Sequence, residues 1–457
     1  MNLIEQTLAT LRYILDSRAI VTGGAINPRH HTDWSHYGPT CPNVLLLPRT
    51  TEEVSKMLRI CNTHKQPVVP QGGMTGLAGG SVPRAGDIAL SLEHMAGIEE
   101  IDAAAATMTV LAGTRLETIQ QAAAEAGFLF PLDLEARGSC QIGGNIATNA
   151  GGNSVIRYGM TRDQVLGLEV VLADGRVLNL MNKMIKNNTG YDLKQCFIGS
   201  EGTLGVITRA VLKLQPLPGH VTTAMCALPD YANAVQLLRA LQKRIGTPQA
   251  YEVMWPAFYQ IGVEWSGHAA PLPSDKPLYV LFESTGSGEA LEALLADARG
   301  TGDVTDAVVA ASPLQARQLW KVREATREFS ARFSPLSFDL SLPMGEIDAF
   351  IQDCQQQLDS RFPGHHTLYF GHIDDSSLHV TIDLNSLPEP SPVDALNDLI
   401  YTAVGGRKGS VSAEHGIGAL KRNYLHHSVT PEAMDVMRQL KQTFDPNGIL
   451  NPGKVIA

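Results

Sequence analysis

The sequence predicts an α+β protein of two or three domains, and three observations support this fold class. The chain has 457 residues, 44% of them hydrophobic and 18% charged, which is enough to bury large cores. A glycine-rich stretch, residues 68–83, begins within a short predicted strand. The segment 214–219, Leu-Gln-Pro-Leu-Pro-Gly, indicates a domain boundary, and beyond it predicted strands alternate with helices.

Charge and composition exclude several classes of function. Lys and Arg number 36 against 46 Asp and Glu, and no basic run is present, so nucleic acid is not an expected partner. The six cysteines are scattered without a C-x-x-C pair, which favours a reducing cytoplasm. The N-terminus lacks a basic segment followed by an apolar core, and no apolar run is long enough to span a membrane. We therefore expect a cytoplasmic protein with no signal peptide and no membrane span.

Periodicity predicts the elements of the first half. Apolar residues recur at helical spacing in 3–17, and 50–62 is a second helix with Thr50 or Thr51 as its N-cap. A strand at 67–69 places the glycine-rich loop beside a sheet edge. Further predicted elements are strands at 88–92, 108–111 and 206–214, a helix at 116–126, and a hairpin of 168–172 with 176–180 around an Asp-Gly turn.

The glycine-rich loop is suited to bind an anion. Residues 72–81 contain five glycines with Thr75 and Ser81, and glycines let backbone N–H groups surround a phosphate without obstruction by Cβ. The spacing fits neither the dinucleotide fingerprint nor the P-loop, so the loop alone is equally compatible with a tight structural turn. Three further blocks change this balance: the glycine- and asparagine-rich residues 131–159 and 187–208, and the closing segment 444–454.

Together these four blocks resemble the FAD-linked oxidoreductases of the vanillyl-alcohol oxidase type, and within them the branch of D-lactate, D-2-hydroxyglutarate and glycolate dehydrogenases. The resemblance extends from about residue 41 to the C-terminus. It implies a PCMH-type FAD-binding domain of two α+β subdomains at 1–217, and an α+β substrate cap with an antiparallel sheet at 218–410. A C-terminal segment, 411–457, would return to the flavin site.

The resemblance also implies the residues that bind FAD. No histidine stands in the glycine-rich loop, so the FAD is expected to be non-covalent. Met74 stands where relatives usually carry asparagine, so one contact is expected to be missing or supplied elsewhere. The implied FAD-binding residues are Pro70, Gln71, Gly72, Gly73, Thr75, Gly76, Gly80, Ser81, Pro131, Gly138, Gly143, Gly144, Asn145, Thr148, Asn149, Gly151, Gly152, Tyr158, Gly159, Glu201, Gly202, Ile207 and Asn451.

A second group of residues is suited to metal-assisted chemistry. The stretch 371–379 offers two imidazoles, and 412–416 adds a carboxylate and a third imidazole. Two histidines with one carboxylate suit a divalent metal that keeps open positions, although histidines satisfied within a strand are the alternative. The resemblance makes His372, His379 and Glu414 the ligands of zinc or manganese, and His415 the neighbouring catalytic base.

The reaction follows from the same resemblance. A D-2-hydroxy acid would be oxidised to the 2-oxo acid, with hydride passing to flavin N5 while the metal stabilises the alkoxide. Arg323 would hold the substrate carboxylate, with Thr326 on the same face of a predicted helix at 314–331; an exposed helix arginine is the alternative. An acceptor protein or a quinone is expected to take the electrons, and the sequence leaves a monomer and a homodimer open.

Departures from the family pattern bear on the substrate. Relatives read G-H-x-G-D-G-N-x-H where this chain has Asp374 and two serines in the turn. Ser337 replaces a lysine that would pair with a distal carboxylate, and Thr381 replaces an asparagine. We therefore expect a substrate with one carboxylate, such as D-lactate, a longer aliphatic acid or D-mandelate, unless Arg327 or Arg332 substitutes for the lysine. D-2-hydroxyglutarate oxidation, an FAD oxidase activity and a non-catalytic electron-transfer subunit remain alternatives.

Overall fold

The computed structural model describes residues 3–35, 37–388 and 390–456, with the side chain of Asp374 outside the described residues. The chain divides into two compact units. The first comprises residues 1–152, 158–217 and 414–457, and the second comprises 153–157 and 218–413. The sequence placed the corresponding boundaries after residues 217 and 410.

A four-stranded sheet carries the glycine-rich loop in the first unit. Its order is β1-β2-β4-β3, with β1 at Ile20–Thr22, β2 at Val44–Leu46, β3 at Val68–Gln71 and β4 at Ile88–Ser91. Strand β3 lies at the edge and pairs in parallel with β4, which is why Pro70 is tolerated within it. The glycine-rich loop therefore leaves an edge strand, as the sequence predicted.

A five-stranded antiparallel sheet completes the first unit. Its order is β5-β6-β10-β8-β9, and the short strands β7 and β11 pair separately. Buried residues of both sheets, such as Val68, Leu90, Val110 and Leu168, belong to one continuous core. The strands are β5 Ile98–Asp102, β6 Thr107–Leu111, β7 Phe128–Leu129, β8 Val165–Val171, β9 Val177–Leu180, β10 Val206–Lys213 and β11 Gln215–Pro216.

Helices cover these sheets where the sequence shows amphipathic spacing. The second helix begins as predicted, because the Thr50 side chain accepts a hydrogen bond from the backbone N–H of Glu53. The helices in this part of the chain are α1 Leu3–Ile14, α2 Thr51–His64, α3 Leu116–Glu125, α4 Ile142–Thr148, α5 Val155–Tyr158 and α6 Lys194–Phe197, and Pro431–Phe444 forms the last helix, α14.

The second unit is built on a seven-stranded sheet in the order β15-β12-β14-β13-β17-β18-β16. Its neighbouring strands pair antiparallel throughout, which confirms the predicted antiparallel cap sheet. The strands are β12 Thr222–Leu228, β13 Ala250–Met254, β14 Leu278–Ser284, β15 Asp306–Val309, β16 Pro335–Ser341, β17 His366–Gly371 and β18 Ser377–Asp383.

The helices of the second unit correct one prediction. The continuous helix predicted at 314–331 is wrong, because α10 ends at Arg323 and residues Glu324–Glu328 form a 3-10 turn. Both conformations keep the apolar residues Val322, Ala325 and Phe329 buried, so their spacing cannot distinguish one from the other. The helices are α7 Tyr231–Arg244, α8 Pro256–Ser266, α9 Gly288–Thr301, α10 Pro313–Arg323, α11 Phe329–Arg332, α12 Ile347–Arg361 and α13 Val393–Gly406. In the described parts of both units, none of the helices is long and apolar enough to cross a membrane.

Candidate functional site

The glycine-rich loop packs directly on the second glycine block of the first unit. A Cβ on Gly73 would lie 2.2 Å from the carbonyl oxygen of Ser139, and the nearest atom to a Cβ on Gly72 would be Gly144 Cα, at 3.6 Å. Only a residue without a side chain permits the first of these approaches. Residues far apart in the sequence thus form one continuous surface.

Buried amide oxygens at this surface lack hydrogen-bond partners among the residues the structure describes. They are Oε1 of Gln141, Oδ1 of Asn145 and Oδ1 of Asn451, and the three side chains are 8%, 6% and 2% exposed. Because buried polar groups in proteins are nearly always paired, a ligand that brings N–H and O–H donors fits here. FAD carries such donors on its ribityl chain, its pyrimidine ring and its adenine.

Gln141 is a candidate site residue that the sequence analysis missed. It is a polar residue between two buried apolar neighbours, Cys140 and Ile142, in the middle of a glycine block. This position could have identified Gln141 as a candidate, since a buried amide in such a block needs a hydrogen-bond partner.

A cavity of about 840 Å³ opens beside the loop in the first unit. It is lined by residues 73–75 of the loop, by Gln141, by Arg29 and Arg115, and by the carboxylates of Asp33 and Glu93. Arg29 is paired with Glu93, so the charged lining has both signs. Its volume is in the range of cofactor pockets, and the backbone of the glycine-rich loop supplies the groups that fit a phosphate.

Met74 and Asn149 adopt the left-handed backbone conformation, with φ of 58° and 50°. Asparagine tolerates this region well, and Asn149 ends α4 there while its Oδ1 accepts a hydrogen bond from the backbone N–H of Arg162. Met74 is strained in it, and its side chain is buried. This gives a conformational reason for the asparagine that the family usually carries at position 74.

Other predicted cofactor residues hold the loop itself. The Gln71 amide donates to the backbone oxygens of His30 and Ser81, so it ties the two ends of the loop together. The hydroxyl of Thr148 donates to the carbonyl oxygen of Gly144. The remaining predicted residues that also lie in the first unit are Pro70, Gly76, Pro131, Gly138, Gly143, Gly151, Gly152, Tyr158, Gly159, Gly202 and Ile207.

Glu201 and Asn451 join the loop to the C-terminal segment. The Glu201 carboxylate accepts hydrogen bonds from the backbone N–H groups of Ile417 and Gly418, at 2.7 and 2.9 Å. Burial raises the pKa of Glu201, and these two N–H groups oppose that shift. The Asn451 amide donates to the backbone oxygens of Gly80, at 2.9 Å, and Glu201, at 2.7 Å. These two side chains therefore bind the protein's own backbone.

The predicted histidines come together at the turn between β17 and β18. His372 directly follows β17, and His379 lies on β18 opposite Phe370. The centroids of the two imidazole rings are 5.5 Å apart. Ser376 closes the turn with φ of 73°, a conformation that favours glycine. The hairpin thus brings both imidazoles to one end of the sheet.

Glu252 lies beside His372 on the neighbouring strand β13, and the sequence analysis did not identify it. The side chain is fully buried; one carboxylate oxygen accepts from Nε of Arg323 at 2.7 Å, and the other is hydrogen-bonded to Nδ1 of His372. Burial alone would raise the pKa of Glu252, but Arg323 and His372 outweigh it and lower the pKa to about 2. Arg323 and Glu252 thus form a buried ion pair.

Arg323 is buried rather than exposed, which excludes the exposed helix arginine considered above. It is 8% exposed, and its guanidinium carbon lies 4.8 Å from the centroid of the Phe370 ring. Thr326 lies in the 3-10 turn that follows α10 and not on that helix. The two residues are still three positions apart, and side chains at that spacing align in a 3-10 turn.

The chain before Glu414 is fixed along β16. The backbone of Ser410 pairs with Ser341, and the Ser412 hydroxyl donates to the Asp339 carboxylate at 3.0 Å. Glu414 is bonded to Ala413, the last residue of the second unit. His372, His379 and Glu414 each offer a ligand atom, and these atoms lie within 4.8 Å of one another. His415 follows directly.

The charges around His372 favour a cation. Burial raises the pKa of Asp375 to about 6; His372 opposes this shift, while Glu252 and Asp339 add to it. The buried carboxylates of Glu252 and Asp339 and the half-buried carboxylate of Asp375 thus lie near one another, with Arg323 as the cation paired to Glu252. Two imidazoles and a carboxylate in such surroundings fit a divalent metal.

Ser337 and Thr381 face each other across β16 and β18. The two residues are directly paired, and their hydroxyl oxygens are 3.2 Å apart. Thr381 is buried, whereas Ser337 is exposed. The pair offers hydroxyl groups and no charge.

Comparison with known proteins identifies the two halves of the chain. Residues 42–181 match the family described as FAD binding domain, and residues 217–455 match FAD linked oxidases, C-terminal domain. The structure is similar to p-cresol methylhydroxylase with substrate bound, with a TM-score of 0.76 and 16% identity over 99% of this chain and 96% of that one. It is equally similar to 4-ethylphenol oxidase from Gulosibacter chungangensis, with a TM-score of 0.75 and 19% identity over 99% and 97% of the two chains. These likenesses confirm the predicted PCMH-type fold.

Sequence relatives are considerably more similar. The mitochondrial D-2-hydroxyglutarate dehydrogenase of Bos taurus is 40% identical over 99% of this chain and 84% of the relative. The D-2-hydroxyglutarate dehydrogenase of Xanthomonas citri pv. viticola is 37% identical over 99% and 97% of the two chains. The chain therefore belongs to the family of FAD-linked oxidases, within the branch of FAD-dependent dehydrogenases that contains these two relatives.

Proposed function

We propose that this protein oxidises a D-2-hydroxy acid to the 2-oxo acid with the help of a divalent metal held by His372, His379 and Glu414. One observation carries the proposal: these three side chains converge within 4.8 Å, and His372 shares the buried Glu252 with Arg323. A cation site next to a buried arginine suits a substrate that presents a carboxylate and an adjacent hydroxyl group.

Each of the following side chains would have its own role in the proposed reaction. Arg323, fixed at Nε by Glu252, would direct its terminal nitrogens at the substrate carboxylate and so orient C2. His415 would take the hydroxyl proton as general base. FAD, when bound, supplies the electron acceptor for the hydrogen on C2, and a bound divalent metal would supply positive charge for the developing alkoxide. An acceptor protein or a quinone would then reoxidise the flavin.

For the substrate we favour an acid with a single carboxylate, such as D-lactate or D-mandelate. Ser337 and Thr381 present a pair of hydroxyl groups where a second carboxylate would need a cation. Arg327 lies close to Glu324, with nitrogen and oxygen 3.3 Å apart, so part of its charge is already balanced.

D-2-hydroxyglutarate is the second candidate, because the relatives that cover nearly the whole chain are named as its dehydrogenases. The two candidates differ in one measurable ratio. If the pair of hydroxyl groups determines specificity, kcat/KM for D-lactate or D-mandelate should exceed that for D-2-hydroxyglutarate by about tenfold or more, since a carboxylate left without a cation beside the buried Thr381 costs about 1–3 kcal/mol. Comparable values for the mono- and dicarboxylic acids would contradict the single-carboxylate proposal.

The decisive experiment is anaerobic reduction of the purified, FAD-loaded protein. The loss of visible flavin absorbance measures the reduction. D-lactate, L-lactate, D-mandelate, glycolate and D-2-hydroxyglutarate would each be mixed with the protein, with and without a chelator. We expect rapid bleaching by one or more D-acids, no bleaching by L-lactate, and loss of bleaching after chelation.

Variants make the same experiment specific to the site. His379→Ala should abolish bleaching, whereas His426→Ala should not, since His426 is exposed and hydrogen-bonded to the backbone of Asn423. If a correctly loaded flavin is bleached by none of the acids, the metal-assisted reaction is wrong. A non-catalytic electron-transfer subunit would then explain the fold better.

A further inference from the structure

Glu252 is placed where one carboxylate can control two functional side chains. It lies on β13, which is paired with β17 so that Val253 faces Gly371, the residue before His372. Its two oxygens are divided between Nε of Arg323 and Nδ1 of His372. These partners are 71 and 120 residues away in the sequence, and Glu252 has no exposed surface.

We infer that Glu252 is a positioning residue that sets the metal-binding nitrogen of His372 and the orientation of Arg323 together. The inference rests on the proposed function, since it concerns the same metal and the same substrate carboxylate. Glu252 would touch neither of them. It would act through the two side chains that do.

The argument for His372 concerns its ring nitrogens. One oxygen of Glu252 accepts the hydrogen bond from Nε–H of Arg323, and the other faces Nδ1 of His372. A carboxylate paired in this way with a guanidinium acts as an acceptor, so Nδ1 of His372 carries the hydrogen that it shares with Glu252. In the neutral ring, Nε2 is then the nitrogen with a lone pair, and a metal would have to bind there. A carboxylate behind a metal-binding histidine fixes both the tautomer and the direction of the ring.

The argument for Arg323 concerns its direction. Its Nε–H points into the buried carboxylate, and its guanidinium lies near the rings of Phe370 and Phe258, 4.8 and 5.9 Å from their centroids. These contacts leave the two terminal nitrogens to define one edge for a planar carboxylate. If Glu252 is replaced, this edge loses the anchor that fixes its angle.

Glutamine, although the same size, cannot replace Glu252 at both contacts. If its oxygen faces Arg323, its NH₂ group faces Nδ1 of His372 and favours the tautomer with hydrogen on Nε2, which opposes metal binding. If the amide is reversed, its NH₂ group faces Nε–H of Arg323, and two donors meet. Glu252→Gln therefore removes one of the two functions with little change in volume.

The test is titration of the metal-free, FAD-loaded protein with a metal. For Mn²⁺, the loss of the EPR signal of the free ion measures binding. For Zn²⁺, competition with a coloured chelator measures it. We expect Glu252→Gln to weaken metal binding about 10- to 100-fold, as substitutions behind metal ligands do. The matched control is Glu283→Gln on the adjacent strand β14, whose carboxylate accepts hydrogen bonds from Trp320 and Thr223 and contacts neither Arg323 nor His372. It should bind metal like the wild type.

Steady-state kinetics at saturating metal add a second readout. Excess metal should restore kcat of Glu252→Gln, while KM for the acid should stay raised about tenfold, because a loosened Arg323 no longer orients the carboxylate. If Glu252 had a purely structural role, Glu252→Gln would lower the melting temperature but would leave the metal affinity and the KM for the acid as in the wild type. That result would overturn the inference.

Wild-type measurements cover the case in which the variant does not fold. Long-range ¹H–¹⁵N spectra of the metal-free protein labelled at histidine should show a hydrogen on Nδ1 of His372. A neutral ring with its hydrogen on Nε2 and none on Nδ1 would refute the inference. If the wild type binds neither metal, the proposed metal-assisted function itself fails, whereas tight binding that is equal in Glu252→Gln refutes the positioning role alone.

Discussion

Several non-glycine residues at the candidate sites adopt the left-handed backbone conformation, and Met74 and Ser376 are two of them. Met74 in the glycine-rich loop has φ of 58°, and Ser376 in the β17–β18 turn has φ of 73°. For residues with a side chain this region costs about 1–2 kcal/mol. At both positions the family pattern carries a residue suited to it, asparagine or glycine. The chain thus accepts local strain beside each site.

Replacing Ser376 by glycine should relieve the strain in the β17–β18 turn. We expect Ser376→Gly to raise the free energy of unfolding by up to about 1 kcal/mol, with the greater freedom of glycine in the unfolded chain limiting the gain. Urea unfolding of the metal-free protein measures this value. Ser428→Gly is the control, because Ser428 has φ of −117° and its replacement should destabilise the protein. A loss of stability in both variants would contradict the prediction.

The Ser337–Thr381 pair predicts how specificity can be changed. Ser337→Lys would add a cation opposite the buried Thr381, so kcat/KM for D-2-hydroxyglutarate should rise about tenfold relative to that for D-lactate. Ser334→Lys adds the same charge at another exposed residue, just before β16, and should leave the ratio unchanged. The comparison needs only initial rates on the two acids. An equal response of both variants would show that charge alone, and not its position, changes the ratio.

At the scale of residues, the sequence pointed to some of the candidate residues and not to others. His372, His379 and Glu414 could be predicted because they lie in short motifs with characteristic spacing. Glu252 could not, since its partners are 71 and 120 residues away and only the register of β13 against β17 brings them together. Gln141 was visible only as a polar residue in an apolar context, and its burial needed the structure.

At the scale of elements, the C-terminal segment forms hydrogen bonds to the backbone of the glycine-rich loop. The backbone N–H of Ala419 donates to Ala78 at 2.9 Å, that of Val455 donates to Gly418 at 3.0 Å, and the ammonium group of Lys454 donates to Gly79 at 2.7 Å. A Cβ on Gly418 would lie 2.1 Å from the carbonyl oxygen of Ala78. These contacts explain why the C-terminal segment carries glycine at position 418 and lysine at position 454.

The buried Lys454 predicts a pH dependence of stability. Burial lowers its pKa from 10.5 to about 8, and the Asp33 carboxylate opposes the shift. Between these pH values the unfolded chain holds a proton that the folded chain has released, so the contribution of Lys454 to stability rises with pH. The difference in unfolding free energy between wild type and Lys454→Met should therefore grow from pH 7.5 to 10, by at most about 3 kcal/mol.

Urea unfolding at the two pH values checks this prediction, with the FAD-free protein used so that cofactor affinity does not enter. Lys243→Met, at the exposed end of α7, is the control and should differ from the wild type by the same amount at both pH values. A constant difference for Lys454→Met as well would show that its folded-state pKa is not lowered.

The elements themselves were largely predictable, and their ends were not. The cap of α2 at Thr50 and the hairpin of β8 with β9 follow from local chemistry that the sequence displays. The change from α10 to a 3-10 turn after Arg323 leaves the apolar spacing nearly intact, so no periodicity could reveal it. Arg323 is therefore the last residue of α10.

At the scale of the whole molecule, each of the two units carries its own core. The glycine-rich loop, the amide oxygens of Gln141, Asn145 and Asn451, and Glu414 belong to the first unit, and His372 and His379 belong to the second. The segment 214–219, which contains two prolines, lies at the main boundary between the units. Residues 153–157 also belong to the second unit, but their composition gives no sign of a boundary. This arrangement predicts that FAD and metal stabilise different parts of the chain.

Hydrogen exchange followed by mass spectrometry can test this division on one protein. A ligand stabilises the segments that must be ordered to bind it, so adding FAD to the apoprotein should slow exchange most in 68–81 and 138–152. Adding Zn²⁺ should instead slow exchange most in 366–381 and 410–416. In His379→Ala the protection by Zn²⁺ should disappear while the protection by FAD remains. Zn²⁺ protection that persists in His379→Ala would place the metal elsewhere and remove the structural basis for a metal-assisted reaction.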